Sequence, residues 1–348
     1  MSRLLFRVDG SENIGMGHIF RTVTLAKEIR KSNPNAYILF LLKENRFAKD
    51  YLVSNGFETI SIVSSINIKE EINYIFDIVK KYCIDKIIVD KFDVTIDYMN
   101  ELKKTNTCTV QFFYDNVSNV TADLGINPNI GFSNDEIDLN EKRNLLIGSQ
   151  YVIVQEKFRN DNIKVNDCVD NIFISFGAGD KNNITPSILE LLDEYFKQSK
   201  SYELPILNVV IGPVYSNIDK IIEKVMKIKL ETKLIINCSD LSSIMKESDL
   251  AISSVGGTIY ELLSLKVPVL GVLQSVDQEK VAEYLDENKC IINLGYIDQL
   301  KPQNFFLSLD QIYLSEERLN MLKATSKLID GKGAQRCAKE ILKLKKDM

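Results

Sequence analysis

The chain has 348 residues, 45% hydrophobic and 26% charged, which excludes a disordered or fibrous chain and exceeds one ordinary domain of roughly 100–200 residues. Its net charge of −5, from 43 Lys and Arg against 48 Asp and Glu, leaves no electrostatic footprint for nucleic acid or for an anionic membrane. No stretch approaches the roughly 20 apolar residues of a membrane span. The six cysteines are scattered without a C-x-x-C pair, and a single histidine rules out a metal site built on two imidazoles. A cytoplasmic protein without metal or cofactor is the expectation.

Leu4 to Val8 reads as a first strand, too short for a signal peptide. A Gly-containing stretch follows, then Ile19, Val23, Ala26 and Ile29 at helical spacing. Strand-like runs recur at 37–42, 86–90 and 110–114, with helical patterns around 46–55, 68–82 and 95–104. Polar residues 156–162 interrupt the pattern. It restarts at 171–176 and continues with strands at 206–211, 233–236, 249–253, 267–272 and 290–294. Such β-α-β repetition predicts parallel sheets with helices on both faces. The expected architecture is α/β: two Rossmann-like domains, residues 1–158 and 159–330, facing each other across a cleft. A terminal helix within 331–348 has a pattern that suits packing on either half.

Gly15-Met16-Gly17-His18 joins the first strand to the first helix. In a doubly wound sheet this loop lies at the carboxyl end of a strand, where ligands bind. The glycines permit a tight turn and close approach to a substrate. His18 is therefore a candidate general base, set against a histidine that only caps the helix. Phe20 stands where a dinucleotide fingerprint needs its third glycine, and no Walker A motif occurs. Asp9 and Asp90, at strand ends, are candidates to orient His18 or to bind substrate. Arg21 is either a substrate contact or a solvated helix-face residue.

In the second half, a strand at 250–254 leads into Gly256-Gly257-Thr258-Ile259-Tyr260-Glu261. A Gly-Gly turn opening a helix offers N–H groups to a diphosphate without a lysine, Thr258 adds a hydroxyl, and Glu261 can accept both hydroxyls of a ribose. The competing reading is a capping box of Thr258 and Glu261. Gly177-Ala178-Gly179 forms a second Gly turn at a strand end, and Gly212 a weaker third.

Gly15-x-Gly17-His18-x-x-Arg21, taken with Gly256-Gly257-Thr258-x-Tyr260-Glu261, resembles the UDP-sugar hydrolase family of pseudaminic acid biosynthesis (PseG) and its spore-coat polysaccharide relatives. The resemblance runs in order through Asp90, Asn127-Pro128, 146–151, 174–177, 210–213, 249–252, Val267-Pro268 and Gln278. It implies a GT-B fold related to MurG. It also implies metal-independent hydrolysis of UDP-2,4-diacetamido-2,4,6-trideoxy-β-L-altropyranose, by inverting water attack at the anomeric carbon with His18 as the catalytic residue. A nucleotide-sugar substrate is the implied partner. By the same resemblance, Asp9, Gly15, Gly17, Arg21, Asp90 and Gln278 lie on the substrate. Gly177, Ala178, Gly179, Gly212, Cys238, Ser239, Leu241, Gly256, Gly257, Thr258 and Glu261 hold the nucleotide. The chain departs from the family pattern at Asp90-Lys91-Phe92 (often Asp-x-Tyr), at Asp115-Asn116 (commonly two aspartates), at Gln155 and at Ala178 to Lys181. Two other readings stay open on the same residues: a glycosyltransferase with a hydroxyl acceptor, and a non-catalytic nucleotide-sugar binding module.

Overall fold

The computed structural model describes residues 2–11, 15–114, 117–131, 144–177, 179–180, 182–198, 204–212, 215, 217–236, 238 and 240–346. The chain divides into two compact units, residues 1–156 with 331–348, and residues 157–330.

In the first unit, Arg3–Val8 (β1), Tyr37–Lys43 (β2), Glu58–Ile62 (β3), Lys86–Asp90 (β4), Cys108–Phe112 (β5), Leu124–Asn127 (β6) and Leu145–Ile147 (β7) form a parallel sheet. Its order is β3-β2-β1-β4-β5-β6-β7. Gly17–Ser32 (α1), Arg46–Ser54 (α2), Ile68–Tyr82 (α3) and Ile96–Lys103 (α4) connect the first five strands. Alternate β1 residues serve opposite faces: Leu4, Phe6 and Val8 join Ile19, Val23 and Ile29 of α1 in one core. Leu5 joins Ile72 and Ile75 of α3 and Met99 of α4 in the other. Burial on both faces explains the continuous apolar runs that mark these strands. The strand expected at 110–114 starts two residues earlier, because Cys108 and Thr109 pair with Lys86 and Ile87 of β4. It ends at Phe112, so Tyr114 falls in the loop beyond.

In the second unit, Asn171–Ser175 (β8), Ile206–Ile211 (β9), Thr232–Ile236 (β10), Leu250–Ser254 (β11), Val269–Leu273 (β12) and Ile292–Tyr296 (β13) form a parallel sheet in the order β10-β9-β8-β11-β12-β13. Its helices are Ile184–Gln198 (α5), Ile218–Lys227 (α6), Ser242–Lys246 (α7), Gly257–Leu265 (α8), Glu279–Glu287 (α9), Pro302–Tyr313 (α10) and Ser315–Leu328 (α11). In both sheets the strand order reverses beside the first strand, between β1 and β4 and between β8 and β11. The carboxyl ends of those pairs are the switch points at which open α/β sheets bind ligands.

The last helix, Gly333–Lys343 (α12), returns to the first unit. Its Cys337, Ala338 and Ile341 are buried in the core that holds α1. Gly333 lies against the 149–152 turn so tightly that a Cβ there would stand 2.2 Å from the Val152 carbonyl oxygen. Among the described residues no helix is long and apolar enough to cross a membrane.

Candidate functional site

β1 and β4 run in register, Val8 opposite Asp90, so the β1–α1 loop emerges beside the last residue of β4. His18 is the second residue of α1, whose N-cap is Met16 with no side-chain cap. The imidazole does not cap the helix. Its Nδ1 lies 2.7 Å from Asp90 Oδ1. Arg21, one turn on, donates from Nε to Asp90 Oδ2 and from Nη2 to Oδ1, both at 2.6 Å. The Tyr114 hydroxyl donates to the same Oδ1 at 2.7 Å. Asp90 is wholly buried and His18 nearly so. A buried carboxylate paired with Arg21 only accepts, so Nδ1 carries the proton and donates to Asp90. Arg21 Nη2, 2.8 Å from Nδ1, then gives its own hydrogen to the carboxylate. Nε2 is left without a hydrogen-bond partner among the described residues. Phe92 meets the imidazole edge-on, with centroids 4.6 Å apart, and Tyr114 does so at 5.8 Å.

Three expectations change on this geometry. Asp90 is the carboxylate at the ring; Asp9 is not, because its Oδ1 accepts from Arg7 Nη1 at 2.6 Å and from the Lys43 N–H at 2.8 Å. Arg21 is not a solvated helix-face residue, since its fork is committed to Asp90. Tyr114 joins the cluster although it was read only as the end of a strand. The signal was positional, for it follows β5, the neighbour of β4. Gly15 adopts φ +77, and a Cβ at Gly15 or Gly17 would meet nothing within 4 Å. The loop backbone is therefore open to close approach.

In the second unit, β8 and β11 end side by side, with Ser253 Oγ donating to the Ser175 carbonyl at 2.8 Å. Gly177 turns with φ +79, and neither it nor Gly257 has an atom within 4 Å of an added Cβ. Gln278 Nε2 would lie 3.4 Å from a Cβ on Gly256, while Gln278 Oε1 accepts from the Gln274 N–H at 3.0 Å. Gln274 Nε2 in turn donates to the Phe176 carbonyl at 2.8 Å. Gly177, Gly256, Gly257 and Gln278 are thus held together at the switch point. Gly179 follows in the same turn, Gly212 follows β9, and Cys238 and Leu241 follow β10. Cys238 Sγ lies 3.2 Å from the Asp240 carbonyl. Ala178 and Ser239 lie outside the described residues.

The capping-box alternative is not formed. The N-cap of α8 is Gly256, no side chain caps it, and Thr258 and Glu261 fall inside the helix. Its first N–H groups therefore face outward at the positive end of the dipole, as an anion site requires. The Glu261 carboxyl has no hydrogen-bond partner among the described residues. Burial pushes it up to about 7, with the charge of Lys157 acting in the opposite direction. Lys157 was not singled out in the sequence; its Nζ also pairs with Asp240 at 3.2 Å.

No family model matches the chain. It is similar to an uncharacterized protein of Methanocaldococcus jannaschii, 26% identical over 93% of this chain and 66% of that longer protein. It is 23% identical to the spore coat polysaccharide biosynthesis protein SpsG of Bacillus subtilis, over 93% of each chain. It is 24% identical to the UDP-2,4-diacetamido-2,4,6-trideoxy-beta-L-altropyranose hydrolase of Campylobacter jejuni, over 81% of this chain and 96% of that one. Among solved structures, Acinetobacter baumannii MurG aligns over 99% of this chain and 100% of its own, with a TM-score of 0.71 at 13% identity. The fold is GT-B, and SpsG and the Campylobacter hydrolase are homologues at modest identity.

Proposed function

We propose that this chain is a nucleotide-sugar-processing enzyme of the GT-B class, and within it a cytoplasmic hydrolase. It would release UDP and free sugar from UDP-2,4-diacetamido-2,4,6-trideoxy-β-L-altropyranose or a close deoxyamino relative. The observation that supports the reading is the imidazole held by Asp90 through Nδ1, with Nε2 unpartnered among the described residues. His18 Nε2 takes a proton from water as the water oxygen bonds to the anomeric carbon. The bond from that carbon to the phosphate oxygen breaks with its electron pair, so configuration inverts and UDP departs. His18 is the base, the N–H donors of Gly256, Gly257 and the α8 terminus suit a diphosphate, and Glu261 suits the ribose. A general base is worth about 10²–10⁴-fold, so the remainder falls to electrostatic stabilisation of the leaving group.

The test is a UDP-linked deoxyamino sugar incubated without any acceptor, with products followed by NMR. Free sugar and UDP are expected, whereas a transferase leaves the donor intact until a hydroxyl acceptor is added. His18→Asn is expected to abolish release while UDP still binds by calorimetry. An active His18→Asn enzyme removes the mechanism.

A further inference from the structure

Asp90 bears more hydrogen bonds than its pairing with Arg21 and His18 accounts for. Oδ2 accepts from Arg21 Nε, and Oδ1 accepts from Arg21 Nη2, His18 Nδ1 and the Tyr114 hydroxyl. The planar fork of Arg21 fixes the plane of the carboxylate from α1. The Tyr114 hydroxyl, from the loop after β5, reaches the same carboxylate. The Tyr114 ring also lies beneath the Arg21 guanidinium, 5.0 Å from ring centre to Cζ, with Phe112 at 5.1 Å. Tyr114 therefore touches each member of the His18–Asp90–Arg21 set.

We infer that Tyr114 is a positioning residue that holds Asp90 and, through it, the orientation and proton affinity of His18. This rests on His18 being the base. The groups facing the imidazole are Asp90 at the end of β4, Arg21 on α1 and Tyr114 after β5. Phe92, after β4, is uncharged, and Lys91 beside it is turned to Glu71, Nζ to Oε1 3.2 Å. By donating to Oδ1, the hydroxyl takes up part of the negative charge that otherwise stabilises an imidazolium.

Tyr114→Phe keeps the ring contacts and deletes only that donor. In the full chain it is expected to lower kcat about tenfold, the scale of one hydrogen bond to a charged group, with KM within about twofold. The acid limb of the pH profile should move to higher pH by about half a unit, since less of the carboxylate charge is neutralised. The ring signals of His18, the sole imidazole, should titrate in the same direction by NMR in the free protein, a readout that needs no substrate. An unmoved imidazole titration overturns the inference, even if the variant melts earlier. So does a raised KM at constant kcat, which would make Tyr114 a substrate contact. His18→Asn tests the base assignment separately.

Discussion

Glu261 sits in the second turn of α8 with its carboxyl half withdrawn from water and the charge of Lys157 to offset that burial in part. A carboxyl held at about 7, above its ordinary value of 4.5, makes the folded state bind a proton more tightly than the unfolded chain. Its stabilising effect is complete below pH 4.5 and is lost as pH rises through about 7. Glu261→Gln mimics the protonated form, so it is expected to raise the melting temperature at pH 8 by the equivalent of about 1–3 kcal/mol, and to change little at pH 5. Equal gains at both values contradict the assignment. A carboxyl that costs stability when ionised and has no hydrogen-bond partner among the described residues fits a ligand-facing group. Accordingly, Glu261→Ala should weaken UDP binding severalfold by calorimetry. His18, Asp90 and Glu261 were each legible as strand-end or helix-start residues. Asp9 and Asp90 were both candidates to orient His18, but the choice of Asp90 was not legible, because 72 positions separate it from His18 and only the β1–β4 register brings them together. The same register left Asp9, which seemed equivalent to Asp90 in sequence, bound to Arg7.

At the scale of elements, β1 and α3 are joined by a buried ionic cluster. Arg7 donates to both Glu71 oxygens, at 2.9 and 3.1 Å, and to Asp9; Lys91 Nζ and the Tyr98 hydroxyl add to Glu71, at 3.2 and 2.6 Å. Burial alone would raise the Glu71 carboxyl, but the hydrogen bonds and charge of Arg7, then Lys91 and Tyr98, hold it down to about 2. Its stabilisation is present above pH 4.5 and is lost as pH falls through about 2. Removing one member leaves the guanidinium buried with only Asp9 opposite, so Glu71→Gln should cost about 3 kcal/mol at pH 7. It should also flatten the acid limb of stability measured by denaturant titration between pH 4.5 and 2. A loss that is the same at pH 2 as at pH 7 counts against the pair. Strands buried on both faces were readable as apolar runs. β3, β6 and β7 were not read as strands, since β3 is a half-exposed edge strand and the other two span four and three residues. Runs that short carry no period.

Two β-α-β series in succession made two Rossmann-like domains legible, because each repeat alternates a doubly buried strand with a helix of period 3.6; GT-B itself came only from the resemblance in the glycine-loop motifs. The return of the chain was not legible. An amphipathic terminal helix announces only that it needs an apolar partner, and both units offer one. What decides is fit at a particular spot. Gly333 occupies a position where a Cβ would meet the Val152 carbonyl oxygen at 2.2 Å, the Tyr151 carbonyl carbon at 2.5 Å and the Val152 nitrogen at 2.7 Å. These are backbone atoms that cannot step aside as a flexible side chain can. Arg336 Nη1 donates to the Gln150 carbonyl at 2.9 Å, fixing the helix against the same turn. Gly333→Leu should therefore dislodge α12 from α1 and destabilise the first unit by about 2 kcal/mol or more. Hydrogen exchange should accelerate in α1, β1 and α12 while β8 to β12 stay protected. Gly257→Ala, where an added Cβ meets nothing within 4 Å, should leave exchange unchanged throughout. If Gly333→Leu instead loosens the second unit or leaves α1 protected, α12 does not anchor the first unit.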